Sequence, residues 1–237
     1  APAGAGRHGH DPGMLVLLTL IHAGVPDSDP RVQELLKRAL ESDLKSTYTV
    51  ALTAMALEEL DRAAYLGRIR QCAQFLVDNI GPEGQTRYGE PTPLPPADKT
   101  ESKAATVQTG NKADAQGQIV LGAGGRTKPK VVRTLLVKQQ RPGPKDHDHS
   151  NMQYAALGLR ACYDAGIRFE PGLIKKVETW WRGAKKKTED PAEALQLDPP
   201  PAALQGRSAS TRAVLVVKAA PAGWGYYKAR GEAIGSM

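Results

Sequence analysis

The chain has 237 residues, of which 41% are hydrophobic and 24% are charged. These are ordinary values for a globular protein, so the composition excludes wholesale disorder and allows a sizeable buried core. The net charge of +7 concentrates in loop-like stretches without interleaved aromatic residues, which argues against nucleic-acid binding.

The first predicted helix, residues 14–23, is apolar nearly all round, as in a helix buried on every side. Its apolar run, residues 14–21, is too short to cross a bilayer, so we expect no transmembrane segment. Asp29 and Pro30 then predict the start of a helix with a single apolar stripe, which is typical of a half-exposed outer helix.

This alternation of a buried helix and an amphipathic helix occurs twice more. The sequence therefore predicts three helical hairpins, at about residues 13–42, 47–81 and 150–187. Stacked hairpins of this kind bury their faces against each other and form two layers. We predict an all-α protein of one domain, in the form of an α/α-hairpin toroid or an open arc of one.

Between the second and third hairpins lies an insert, residues 82–145, rich in Gly, Pro and Lys. We expect it to be irregular, with short strands in the β-prone runs 118–121 and 131–137. A third such run, 213–217, follows the last hairpin. Two cysteines, Cys72 and Cys162, fall inside helical patterns and resemble buried small hydrophobic residues.

Several short motifs resemble those of the prenyltransferase/squalene-oxidase (squalene-hopene cyclase-like) repeat proteins. Residues 148–153 (DHSNMQ) are similar to the segment that opens an inner helix in that family, and residues 223–227 (GWGYY) to its aromatic-glycine element. Residues 87–89 (RYG) look like a degenerate copy of that element. The resemblance implies an α/α toroid in which Asn151 and Gln153 serve a ligand or the structure, and in which the aromatic element ties neighbouring repeats through Trp224, Tyr226 and Tyr227.

A closed toroid of this family needs about six hairpins, whereas three are predicted here. The resemblance therefore implies the first half of a larger protein, a fragment, or an open arc completed by a partner.

The run Asp146-His147-Asp148-His149 precedes a predicted inner helix, where class II terpene cyclases carry an acid motif of three aspartates. Asp146, Asp148 and His149 are therefore candidate catalytic residues, because a histidine can stabilise the carboxylate that proton donation leaves. Two features oppose this hypothesis. His149 replaces the third aspartate, and aromatic residues, which hold carbocations, make only 5% of the chain.

Histidines also cluster with carboxylates ahead of two inner-type helices. If the inner helices are parallel, both loops open on one face, and imidazole with carboxylate suits zinc or another first-row metal. Since Asp148, Ser150 and Asn151 are equally good helix N-cap residues, capping without any cofactor is the simpler alternative. The candidate metal ligands are His8, His10, Asp11, His147 and His149.

These patterns favour a repeat-type binding or scaffolding protein. Its cleft, at the N-terminal ends of the inner helices, would take an apolar or anionic ligand or a protein segment. The alternative is an isoprenoid-processing enzyme whose catalytic half is missing or lies beyond residue 237. The sequence leaves catalysis and compartment open.

Overall fold

The computed structural model describes residues 11–96, 128, 131 and 134–184, and the backbone of four short strands after them. The chain consists of two compact units, residues 1–182 and 183–237. Six helices account for most of the described structure, which confirms the predicted all-α class. They are α1 (Pro12–His22), α2 (Pro30–Glu41), α3 (Thr47–Asp61), α4 (Leu66–Asp78), α5 (His149–Asp164) and α6 (Pro171–Ala184).

Aspartates fix the start of three of these helices. The side chain of Asp11 accepts a hydrogen bond from the Gly13 amide, and Asp29 accepts one from the Arg31 amide; a proline follows each aspartate. Such caps satisfy amides that have no partner within the helix. α1 and α5 are each followed by a glycine with positive φ, Gly24 at 75° and Gly166 at 99°. An L-residue rarely adopts this conformation, so glycine allows the chain to leave the helix there.

The inner helices α1, α3 and α5 lie side by side and run parallel. At their N-terminal ends, the Asp11 amide donates to Thr49 Oγ1 at 3.1 Å, and the Tyr48 and Tyr154 rings lie 4.3 Å apart. At the opposite end, Arg62 Nη1 donates to the Asp164 carbonyl oxygen at 2.9 Å. Because like ends meet like ends, the three helices are parallel. α3 contacts both of the others and therefore lies between them.

The outer helices complete the core with their apolar stripes. α2 buries Val32, Leu36 and Ala39 and leaves its charged side in solvent. α4 lies deeper, because residues 138–141 cover its C-terminal end. There Gln139 Nε2 donates to the carbonyl oxygens of Val77 and Ile80, at 2.9 and 2.7 Å.

Two strands belong to the first unit. β1 (Leu135–Val137) pairs in parallel with β2 (Ile167–Phe169), with Leu135 opposite Ile167. β1 lies at the end of the predicted β-prone run 131–137. β2 lies in the short connection between α5 and α6. β2 forms there because the turn carries Ile167, which is fully buried, next to the backbone of β1.

The second unit contains two antiparallel pairs. β3 (Lys186–Lys187) pairs with β6 (Ala222–Gly223), and β4 (Glu193–Leu197) pairs with β5 (Leu215–Ala219). β5 overlaps the predicted run 213–217, whereas the run 118–121 lies outside the described residues. The third hairpin was predicted to extend to residue 187, but α6 ends at Ala184. Gly183 weakens the last helical turn, and the lysines beyond it form β3.

No helix in the described part of the chain is long and apolar enough to span a bilayer.

Candidate functional site

The N-terminal end of α5 is organised by Asp148. Its Oδ1 atom accepts hydrogen bonds from the amides of Ser150 and Asn151, at 2.9 and 3.1 Å, and also bonds the Ser150 hydroxyl. Asp148 is 1% exposed. A buried carboxylate in this position stabilises a helix both as a cap and through the positive end of the helix dipole. Asp148 is therefore the N-cap of α5.

Residues 86–89 join the N-terminal ends of α3 and α5. The Asp148 amide donates to the Thr86 carbonyl oxygen at 3.1 Å, and the Thr47 hydroxyl and amide donate to the carbonyl oxygens of Arg87 and Tyr88 at 2.6 and 2.7 Å. Gly89 has φ +95°, and a Cβ atom there would lie 2.7 Å from the Phe75 ring. Glycine is thus required by conformation and by space.

Three half-buried tyrosines lie at this end of the stack. Tyr48 and Tyr154 contact each other with an angle of 44° between their rings, and Tyr88 lies close to Tyr48. Burial raises the pKa of the Tyr48 hydroxyl, and a hydrogen bond with Ser150 opposes that rise. We call Tyr48, Tyr88 and Tyr154 the tyrosine cluster. It offers a ligand aromatic surface with hydroxyl groups at its edge.

The histidines of the predicted motif pack against tryptophans of α6. His149 is fully buried, with its ring centroid 5.3 Å from that of Trp180 and 5.7 Å from that of Trp181. His147 lies 5.1 Å from Trp180 in an edge-to-face arrangement. These contacts fix α6 against the start of α5, so both imidazoles have a packing role.

Asn151 is the most unusual polar residue of this end. It is fully buried, and no described residue hydrogen-bonds either polar atom of its amide; the Thr86 hydroxyl is in the same situation. Buried amides are nearly always hydrogen-bonded, so a polar group is expected to reach Asn151. The neighbouring candidate Gln153 is exposed on α5 instead.

The structure separates the members of the predicted acid motif. Asp146 is 74% exposed, and its Oδ2 atom lies 2.6 Å from Arg87 Nη1. Asp148 caps α5, and His149 is enclosed by indole rings. The three side chains therefore do not converge on one water-excluded space, which acid chemistry on a substrate requires.

The candidate metal ligands in the described part of the chain each make different contacts. Asp11 caps α1 and forms an ion pair with Arg38 at 2.6 Å. Within the described residues, no group of three His, Cys, Asp or Glu side chains is arranged to hold a metal ion. His8, His10, Trp224, Tyr226 and Tyr227 lie outside the described residues.

At the opposite end of the inner helices lies a charged cluster that sequence reasoning missed. Lys128 Nζ lies 2.7 Å from Glu58 Oε2 and 2.6 Å from Glu59 Oε1, and Arg62 Nε lies 3.6 Å from Glu58 Oε1. The Glu58 side chain is only 5% exposed. The one available signal was an acidic pair at the end of an otherwise apolar helix; nothing local pointed to a lysine 70 positions away.

Both cysteines are buried, as predicted, and both are free thiols. Burial raises the pKa of Cys72 to about 12 and that of Cys162 well above its ordinary value. Cys162 Sγ lies 3.7 Å from the Ile69 carbonyl oxygen, between α5 and α4. A thiol in this state is a poor nucleophile, so both cysteines serve packing.

Fold and site together define a mostly helical protein, with an aromatic and polar cluster at the N-terminal ends of α3 and α5. No protein-family model matches the chain, and no curated protein or solved structure is significantly similar to it.

Proposed function

We propose that this protein is a repeat-type binding or scaffolding protein of the squalene-cyclase-like superfamily. Its ligand would be apolar or anionic, or a protein segment, and would bind where the inner helices begin. The observation that carries the proposal is the tyrosine cluster, placed over the N-terminal ends of α3 and α5 and held there by residues 86–89. The toroidal arrangement is part of the same proposal.

The electrostatics of this end also support a binding role. Of the three inner helices, α3 is the one that does not begin with an aspartate: its N-cap is Ser46, which makes no side-chain capping hydrogen bond. The positive end of the α3 dipole is therefore not offset by a capping carboxylate. Arg87, about half exposed, lies on the adjoining segment. A ligand with an anionic head and an apolar tail would match Arg87 and the tyrosines.

The two candidate acids, Asp148 and Asp146, have other roles here, which argues against an isoprenoid-processing enzyme. A carboxylate that accepts two backbone hydrogen bonds in a helix cap is stabilised in its ionised form. Asp148 is in that position, and Asp146 is paired with Arg87 in solvent. Neither arrangement prepares a proton donor.

Farnesyl diphosphate is a suitable probe, because it combines an apolar chain with an anionic head. We expect saturable quenching of Trp180 and Trp181 fluorescence, with the probe recovered unchanged. Tyr48→Leu should weaken binding about fivefold, since one aromatic contact contributes about 1 kcal/mol. Tyr163→Leu, at the other end of α5, is the matched control. No saturable binding would contradict the proposal, and turnover of the probe would favour the enzyme.

A further inference from the structure

Asn151 is a polar residue on a face of α5 that otherwise carries small apolar residues. Ala155, Gly158 and Cys162 lie on the same face, and all three are buried. A Cβ atom at Gly158 would lie 2.8 Å from the Ala51 Cβ atom, so this face packs directly against α3. An apolar side chain is the ordinary choice in such a contact, yet the Asn151 side chain is a carboxamide that is 0% exposed. The carboxamide therefore needs a polar partner in the interior.

The C-terminal end of α4 lies beside the same part of α5. Cys162 Sγ lies 3.7 Å from the Ile69 carbonyl oxygen, and a Cβ atom at Gly158 would lie 2.9 Å from Leu76 Cδ1. The contacts approach the end of α4 as they approach the start of α5, so these two helices are antiparallel. The segment that leaves α4 consequently arrives at the start of α5, and Thr86 belongs to that segment.

Thr86 is the second buried polar residue at this place. Its carbonyl oxygen accepts a hydrogen bond from the Asp148 amide at 3.1 Å, and Asp148 Oδ1 accepts one from the Asn151 amide at 3.1 Å. Thr86 and Asn151 are therefore each one hydrogen bond away from Asp148. Thr86 is 2% exposed, and no described residue hydrogen-bonds its hydroxyl group or the Asn151 carboxamide. Two such groups, brought together from different segments, indicate a shared third partner.

The chemistry of the two groups restricts what this partner can be. The Asn151 carboxamide has two donors and one acceptor, and the Thr86 hydroxyl both donates and accepts. A cation cannot accept from the carboxamide nitrogen. An anion cannot donate to the carboxamide oxygen, and the buried carboxylate of Asp148 would repel it. Because both side chains are enclosed, the partner must also be small, and water meets all of these conditions.

We propose that an internal water molecule is bound between Asn151 and Thr86, with hydrogen bonds to the carboxamide and to the hydroxyl group. Globular proteins hold about one buried water per 27 residues, and each typically joins otherwise unpaired polar groups. This water links residues 86–89, which include Tyr88, to α5, which carries Tyr154. It thereby helps to hold the tyrosine cluster together, and it does not depend on the ligand binding proposed above.

A high-resolution crystal structure of the full chain tests the proposal directly and needs only the parent protein. We expect an ordered water within hydrogen-bonding distance of both Asn151 and Thr86. A dry contact between the two side chains would overturn the proposal. So would an ion at this place, or a protein group hydrogen-bonded to the Asn151 carboxamide.

Thermal unfolding, followed by circular dichroism, gives an independent test in solution. Thr86→Val removes one ligand of the water from the parent protein and should lower the melting temperature. Asn151→Leu removes the other ligand and leaves the Thr86 hydroxyl buried without a partner. In that background Thr86→Val should no longer lower the melting temperature, and should raise it if the hydroxyl is fully desolvated.

Thr53→Val is the matched control. Thr53 is also 2% exposed, but its hydroxyl donates to the Thr49 carbonyl oxygen at 2.7 Å and has no connection with Asn151. This substitution should lower the melting temperature equally in the parent and in the Asn151→Leu background. If Thr86→Val behaves in the same way, the two side chains do not share a partner and the water site is wrong.

Discussion

The two ends of the inner helices are held together by different interactions. At the N-terminal end, residues 86–89 connect α3 and α5 through backbone hydrogen bonds, and aromatic rings fill the remaining space. At the C-terminal end, Glu58, Arg62 and Lys128 form a buried network of charges. Apart from the Asp148 cap and two exposed ion pairs, the N-terminal end relies on neutral hydrogen bonds and packing, which tolerate the loss of one member. A buried charge left alone carries a large desolvation cost. The ends should therefore respond differently to mutation and to salt.

The largest effect is expected at the charged end. Lys128→Met removes the closer of the two cations beside the buried Glu58 carboxylate, and we expect the free energy of unfolding to fall by about 3 kcal/mol. Urea denaturation measures this change. Lys138→Met is the matched control, because Lys138 is exposed and only its carbonyl oxygen takes part in a hydrogen bond, from Gln74.

A second substitution identifies the cause of that loss. If the isolated charge of Glu58 is responsible, Glu58→Gln in the Lys128→Met background should restore part of the stability, giving a double-mutant coupling of at least about 1 kcal/mol. Additive losses would mean that Lys128 acts through packing of its aliphatic chain.

The next effect is expected at the N-terminal end. Asp148→Ala removes the α5 cap and should lower the free energy of unfolding by about 1–2 kcal/mol, the upper range for a buried N-cap. Asp148→Asn keeps an acceptor of the same shape and should retain most of the stability. A loss as large as that of Lys128→Met would indicate that the two ends do not differ in kind.

The difference between the ends also explains what the sequence could predict. The N-terminal end is specified locally, because Asp148 and Asp11 each directly precede the helix that they cap. The helices and their caps were therefore accessible from spacing and residue type. Gly24 and Gly166 likewise marked the ends of α1 and α5.

Contacts between distant segments could not be predicted in the same way. Lys128 reaches Glu58 and Glu59 across 70 and 69 positions, and His149 meets Trp180 and Trp181 from another helix. Residue types placed the histidines in a metal or acid site, since imidazole serves those chemistries. In the structure His147 and His149 pack against indole rings, and nothing in the motif itself carried that information.

A smaller effect concerns the pH dependence of the N-terminal end. Since burial raises the pKa of Tyr48, the stability contributed by its neutral hydroxyl is fully present below the unfolded pKa near 10 and is lost as the pH rises through the folded pKa. Tyr48→Phe should therefore lose less stability than the parent as the pH rises above about 10. Absorbance at alkaline pH follows the ionisation directly.

Tyr65→Phe calibrates that titration, because burial also raises the pKa of Tyr65, which lies at the start of α4. Each variant should remove one late-ionising tyrosine from the absorbance curve. An unchanged curve for Tyr48→Phe would show that the hydroxyl is open to solvent and that the tyrosine cluster is looser than described.

The smallest effect is expected for the one ion pair of the N-terminal end that joins residues 86–89 to the loop before α5. Asp146 and Arg87 are 74% and 48% exposed, so solvent screens their attraction and Asp146→Asn should change the free energy of unfolding by less than about 0.5 kcal/mol. Raising the salt concentration to 1 M should abolish even that difference, because the Debye length then falls to about 3 Å. The loss caused by Lys128→Met should persist in the same buffer, since burial protects the charges from screening. If both losses vanish in salt, the charges around Glu58 are as exposed to solvent as the surface ion pair. The two ends would then differ only in the number of their charges.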